Sequence, residues 1–259
     1  MRWDPAVYES YAGPRLRPVL DLIGRIPLEA PARIWDLGCG TGSGTHLLAR
    51  RWPEARVTGL DSSPDMLARA AAQAEGGRID WQRGDIASWH PDQPPDLIFS
   101  NAALQWLDGH ERLFPRLFGT LAPGGVLAVQ MPRNHAAPSH QAILDAVRSG
   151  PWRQRLTPLL RVQPVAEPAR YHDWLSPLAA GLDLWETEYL HVLSGEDPVL
   201  NWMSSTALAP FLQALDGAER DAFRADCAAR LREAYPPGSD GKTLFPFRRL
   251  FLLARKAQA

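Results

Sequence analysis

Two spacings of apolar residues alternate over the first half of the chain. Ala32-Arg33-Ile34-Trp35 is short, apolar and β-prone, as is Ala55-Arg56-Val57-Thr58-Gly59-Leu60. Between them, Gly44-Thr45-His46-Leu47-Leu48-Ala49-Arg50-Arg51-Trp52 carries its apolar residues at helical spacing and stops before Pro53. Ser62-Ser63-Pro64-Asp65 reads as an N-cap followed by a first-turn proline, and Met66, Leu67 and Ala70 continue that helix. From Arg33 to about Gln130 this alternation predicts an α/β fold, a parallel sheet with helices on both faces.

Beyond Met131 the texture changes. Residues 133 to 180 are rich in Pro, Trp and Arg and read as short helices broken at Pro138, Pro151, Pro158, Pro164 and Pro168. Leu184 to Leu193 reads as a strand, Pro198 to Ser204 and Gly217 to Tyr235 as helices, and Arg249 to Ala254 as a last strand. The expected organisation is therefore a core over 1–132 and a helical layer with the last two strands over 133–259. Ligands of open α/β sheets sit above the C-terminal strand ends, so the helical layer either caps the active site or forms an oligomer interface.

Composition narrows the function classes. The chain has 259 residues, a net charge of −1, 45% hydrophobic and 22% charged residues, as expected of a globular protein that buries a large core. No basic stripe marks a nucleic-acid surface, no apolar run is long enough for a membrane span, and Met1-Arg2-Trp3-Asp4-Pro5 is not a signal peptide. A cytoplasmic protein is expected. Cys39 and Cys227 are too far apart in sequence, and Cys39 too embedded in a glycine loop, to suggest a disulfide. The seven histidines form no ligand cluster, and no metal site is expected. All but Lys242 and Lys256 of the 28 basic side chains are arginine, which suits either anion recognition or a biased genome.

The chemistry concentrates in Asp36-Leu37-Gly38-Cys39-Gly40-Thr41-Gly42, between the first strand and the first helix of the alternation. Glycine is needed where the backbone takes positive φ or where a ligand approaches the main chain. The spacing is neither that of a dinucleotide-binding loop nor that of a P-loop, and no lysine opens the helix. Asp36 would repel phosphate and favour a cation. Asp61 closes the second run, placed to accept hydrogen bonds from both hydroxyls of a ribose. Asp85, with Ile86 behind it, suits an adenine: the carboxylate accepts from the exocyclic amine and the aliphatic side chain covers the ring. The ligand so described bears a nucleoside and a positive charge.

Asp36, the glycine loop, Asp61 and Asp85, in this order, resemble the class I S-adenosylmethionine-dependent methyltransferases. Pro94-Pro95-Asp96-Leu97-Ile98-Phe99-Ser100-Asn101-Ala102 resembles that family's fourth strand, and Leu121-Ala122-Pro123-Gly124-Gly125-Val126-Leu127-Ala128-Val129 its turn and fifth strand. The resemblance implies a Rossmann-like, mostly parallel sheet whose last strand is antiparallel, with the helical cap inserted around the last strands. It implies S-adenosylmethionine as cofactor, held by Asp36, Gly38, Cys39, Gly40, Gly42, Asp61, Ser62, Met66, Asp85, Ile86, Asn101 and Ala102. Met66 alternatively fills core.

A sulfonium methyl is already electrophilic, so the acceptor decides whether a base is required. A carboxylate, with a pKa of about 4, is ionised at neutral pH and needs none. Asn101-Ala102-Ala103-Leu104-Gln105-Trp106 offers amide and indole donors without a strong base, so no catalytic base is expected; Gln105 and Trp106 either orient the acceptor or begin a helix with a core tryptophan. Guanidinium forks bind carboxylates, and Arg15, Arg17, Arg133, Arg170, Arg248 and Arg249 occupy positions able to overhang the site.

End to end, the chain resembles the trans-aconitate 2-methyltransferase family. Trp3-Asp4-Pro5-Ala6-Val7-Tyr8, Arg15-Leu16-Arg17-Pro18, Asp61-Ser62-Ser63-Pro64, Asn101-Ala102-Ala103-Leu104-Gln105-Trp106-Leu107, Gln130-Met131-Pro132 and Phe247-Arg248-Arg249-Leu250-Phe251 carry that likeness, which departs at Thr41 and Ser43 and in the proline-rich stretch 150 to 170. It implies transfer of a methyl group to one carboxylate of trans-aconitate or a similar small polycarboxylate, giving a monomethyl ester. Arg15, Gln105, Trp106, Arg133, Tyr171 and Arg249 are then the expected substrate contacts. Trp3, Tyr8 and Tyr11 are expected either to form an N-terminal lid over the cofactor or to anchor the terminus on the core. Methylation of a malonyl thioester on a carrier protein, or cofactor binding without turnover, are the alternatives. The expected partner is a small molecule, with no nucleic acid or membrane, for a monomer or small homo-oligomer.

Overall fold

The computed structural model describes residues 13, 16–72, 79–161, 164–204 and 206–258. Trp3, Tyr8, Tyr11 and Arg15 lie outside the described residues. Among the described residues, seven strands, β1 (Arg33–Leu37), β2 (Arg56–Asp61), β3 (Ile79–Arg83), β4 (Leu97–Asn101), β5 (Val126–Pro132), β6 (Gly181–Leu193) and β7 (Thr243–Arg255), form a single sheet in the order β3-β2-β1-β4-β5-β7-β6. β1 pairs in parallel with β2 and with β4, β2 with β3, and β4 with β5, whereas β5 and β7 are antiparallel. The chain thus runs outward from β1 in one direction as far as β3 and returns through β4 in the other. The C-terminal ends of β1 and β4 lie side by side at that reversal, the position where open α/β sheets bind ligands.

Residues alternate between the faces of these strands. Leu37, Leu60, Ile98, Leu127 and Val129 pack on one face with Phe114 and Leu117 of the helix His110–Gly119 and with Leu175 of the helix Pro168–Leu175. Ile34, Val57, Phe99 and Ala128 are equally buried and face the other way. There the helix Arg17–Arg25 lies against β5 and the helix Ser43–Arg51 against β1 and β2. Asp36 shares this second face with Ile34, a lone carboxylate among apolar residues.

The chain divides into two compact units. One comprises Met1–Pro132, Pro164–Thr187 and Arg249–Ala259; the other comprises Arg133–Gln163 and Glu188–Arg248. The second unit has its own core, in which Ile143 and Val147 of the helix Pro138–Ser149 and Phe223 and Leu231 of the helix Gly217–Ala234 surround Trp152, Phe211 and Phe245. Pro138 and Pro168 open helices rather than breaking them, because a first-turn proline forgoes only an N–H that has no partner in the helix. β7 begins at Thr243, well before the expected Arg249, and runs through Pro246, whose fixed φ is compatible with extended backbone.

Candidate active site

The glycine loop turns at the C-terminal end of β1 and is tied across to β2. Gly38 N and Cys39 N both donate to Leu60 O, at 2.8 and 3.0 Å, and Gly42 N returns to Cys39 O at 2.9 Å. Gly38 has φ +78°, and a Cβ there would lie 2.2 Å from the Cβ of Ala103, so nothing larger than hydrogen fits. Gly40 differs. It too has positive φ, +55°, but a Cβ added to it would meet no atom of the described residues within 4 Å, so the main chain here borders open space among them. A cradle closed beneath Gly38 and open above Gly40 suits a ligand lying on the backbone.

Asp61 stands at the end of β2 and locks this loop. Its Oδ2 accepts from Gly40 N at 2.9 Å and its Oδ1 from Ser63 N at 2.9 Å. Each carboxylate oxygen has a second lone pair, which remains suited to a ribose hydroxyl. Asp36 lies under the loop rather than on its open side. It is buried, and its Oδ2 accepts from Thr45 Oγ1 at 2.6 Å. Burial pushes its carboxyl up to about 7, Thr45 pulls it back, and the neighbouring Asp61 adds a further upward push. Any influence of Asp36 on a ligand is therefore through its charge. The Cys39 thiol is held well above the ordinary thiol range, first by burial and then by Asp36 and Asp61, so it is inert packing in the loop.

Other expected cofactor contacts are distributed around this turn. Asp85 is exposed beyond β3 and spends Oδ1 on Ala87 N at 2.8 Å, while Ile86 is buried with its carbonyl held by Arg116 at 2.7 Å. Ser62 and Met66 are exposed at and after the end of β2, so Met66 does not fill core.

The end of β4 carries strain. Ala102 has φ +54°, uncommon for a residue with a Cβ, and its N–H is held by Gln130 O at 2.9 Å. Gln105 Nε2 donates to Ala102 O at 2.6 Å, and the short 3-10 turn Leu104–Trp106 follows. Asn101 Oδ1 and Gln105 Oε1 are buried and meet no hydrogen-bond partner among the described residues. Across β5, Arg249 of β7 is buried and its Nη1 donates to Gln130 Oε1 at 3.2 Å. The first unit thus gathers Asp36, the loop glycines, Asp61, Asn101, Ala102, Gln105 and Arg249 at or near the strand ends.

Two expectations change. Tyr171 is a core residue, not a substrate contact: it is fully buried, its hydroxyl lies 2.7 Å from His110 Nδ1 and accepts from Ala166 N at 3.2 Å, and Phe114 and Trp174 pack on its ring. Trp106 is 49% exposed, which excludes a core role for it. Gln105 commits one of the two N–H groups of Nε2 to Ala102 O, which leaves the other as its only donor toward an acceptor carboxylate, since Oε1 only accepts. Arg133 belongs to the second unit, where its N–H donates to Arg248 O at 2.9 Å. Gln130 was missed, although a glutamine inside the apolar run Val126–Pro132 is a visible irregularity.

Residues 34–125 match the family model described as "Methyltransferase domain". A trans-aconitate 2-methyltransferase of Streptomyces avermitilis is 49% identical over 261 residues, spanning 98% of this chain and 97% of its own length. One from Streptomyces coelicolor is 51% identical over 265 residues, covering 99% and 87%. The chain belongs to the trans-aconitate 2-methyltransferase family. The YcgJ protein of Bacillus subtilis shares its fold, with a TM-score of 0.61 at 14% identity over 93% of this chain and 98% of that one. Family membership extends beyond the matched domain, through the second unit and β7.

Proposed function

We propose that this chain is an S-adenosylmethionine-dependent O-methyltransferase that monomethyl-esterifies one carboxylate of trans-aconitate. Asp61 carries the cofactor half of this reading: it is hydrogen-bonded to Gly40 N, where the loop borders open space among the described residues. When bound, S-adenosylmethionine supplies a methyl carbon that a carboxylate oxygen takes as the carbon–sulfur bond breaks, its electron pair remaining on sulfur and no proton moving. Asp61 holds the ribose hydroxyls, Asp85 and Ile86 the adenine, and Ser62, Met66, Asn101 and Ala102 line the remaining contacts. Asp36 contributes negative charge beneath the cationic end.

The residues at the end of β4 supply no base, as an acceptor that is already ionised requires. Their task is to position the acceptor in line and exclude water. Arg249, buried beside the end of β5, is the acceptor's counter-charge in the first unit. Near full-length membership of this family favours a free small polycarboxylate over a carrier-bound malonyl thioester and over binding without turnover. The enzyme acts in the cytoplasm, without nucleic acid, as a monomer or small homo-oligomer.

Titration calorimetry with S-adenosylhomocysteine, followed by turnover on a panel of di- and tricarboxylates, tests the assignment. Trans-aconitate is expected to give the highest kcat/KM. Tight cofactor binding with equal or no turnover across the panel would refute the substrate while leaving the cofactor site standing.

A further inference from the structure

Gln130 is fully buried, with 0% exposure, in a strand whose neighbouring residues are apolar. Its side chain faces Arg249 Nη1 at 3.2 Å. A guanidinium only donates, so the facing atom is the amide oxygen, and this fixes Nε2 on the other side. That nitrogen is buried and meets no hydrogen-bond partner among the described residues. An unmet buried N–H costs about 1–3 kcal/mol, so the position calls for an acceptor that arrives with a ligand.

The surroundings sort ligands by charge. Gln130 and Arg249 present donors at the β5 and β7 side, whereas Asn101, the register partner of Gln130 on β4, and Gln105 present buried amide oxygens. The donors of the first pair suit an anion, and the two amide oxygens of the second suit a cation or an N–H donor. Gln130 also holds the strained Ala102 through its carbonyl, so one residue joins the two sides.

We propose that Gln130 Nε2, together with Arg249, binds a carboxylate of the acceptor that does not receive the methyl group; this rests on the carboxyl-methyltransferase reading above. Methyl transfer abolishes the charge of the carboxylate that reacts. Donors and a guanidinium on that group would stabilise the starting acid more than the transition state and slow the step. On a carboxylate that keeps its charge they hold both states alike, lowering KM and leaving kcat unchanged. Gln130 is thereby a specificity residue that favours polycarboxylates over monocarboxylates.

Steady-state kinetics on Q130L, R249Q and the double variant, with trans-aconitate as acceptor, test this. Q130L is expected to raise KM about ten- to a hundredfold, with kcat within about twofold and S-adenosylhomocysteine affinity unchanged. The double variant is expected to be little worse than R249Q, because both donors serve one carboxylate. Q130M carries the same expectation and replaces Q130L if melting shows that Q130L is unfolded. A fall in kcat at constant KM, or penalties that add in full, overturns the proposal. If R249Q raises KM and Q130L does not, the inference about Gln130 fails while the carboxylate reading stands. If R249Q also leaves KM unchanged, the assignment of Arg249 falls with it.

Discussion

Replacing Asp36 with Asn should stabilise the ligand-free protein at neutral pH and leave it unchanged in acid. The side chain is buried under the glycine loop, and its carboxyl is pushed from the ordinary 3.8 to about 7. A raised folded pKa means that the folded state binds the proton more tightly than the unfolded chain. Stability from this group is therefore full below 3.8 and is lost as pH rises to about 7. The shift corresponds to about 4 kcal/mol over that window, at about 1.4 kcal/mol per pH unit. Asparagine keeps the shape and can still accept from Thr45, but it has no charge to bury. Urea unfolding of both proteins between pH 4 and pH 8 measures the difference directly, since every other titrating group cancels. We expect a gap near zero at pH 4 that widens to several kcal/mol in favour of D36N by pH 8. The same substitution should weaken S-adenosylmethionine binding, because the cation loses its counter-charge. A gap independent of pH, or one that widens towards acid, would refute the electrostatic role given to Asp36.

Other substitutions probe separate parts of the account. D61A should cost about 1–3 kcal/mol of cofactor affinity in calorimetry with little change in acceptor KM, since the lost bonds run to Gly40 and to the ribose. G38A should lower the melting temperature and abolish cofactor binding, because φ +78° alone costs about 1–2 kcal/mol and the added Cβ overlaps Ala103. In the second unit, burial pushes His135 and His140 down to about 4; Arg161 and Arg133 add to the effect on His135, and His135 to that on His140. Their contribution to stability is full above pH 6.5 and is lost as pH falls towards 4, so H140Q should flatten the acid limb of a stability profile.

The cofactor loop was legible in the sequence because its glycines and its carboxylates sit at strand ends that the alternating pattern marks. The positive φ of Gly38 and Gly40 and the position of Asp61 at the end of β2 follow from strand–loop–helix spacing, although the packing of Gly38 on Ala103 does not. Tyr171 was misassigned because the partner that defines it, His110, lies 61 residues away in sequence and only packing brings them together. Gln105 follows the end of β4 as its sequence position suggests, but that one of its two N–H groups is committed depends on the carbonyl of the strained Ala102. The early start of β7 was hidden by Pro246, which punctuates a sequence pattern more strongly than it disturbs an extended chain. Gln130 could have been found from the lone polar side chain in its apolar strand.

The most direct measurement supplies the purified protein with methyl-labelled S-adenosylmethionine and trans-aconitate and follows the label by mass spectrometry. The account predicts a labelled monomethyl ester formed in equal amount to S-adenosylhomocysteine, with no second methylation. Binding of the cofactor without ester, or label recovered on any atom other than a carboxylate oxygen, would contradict it.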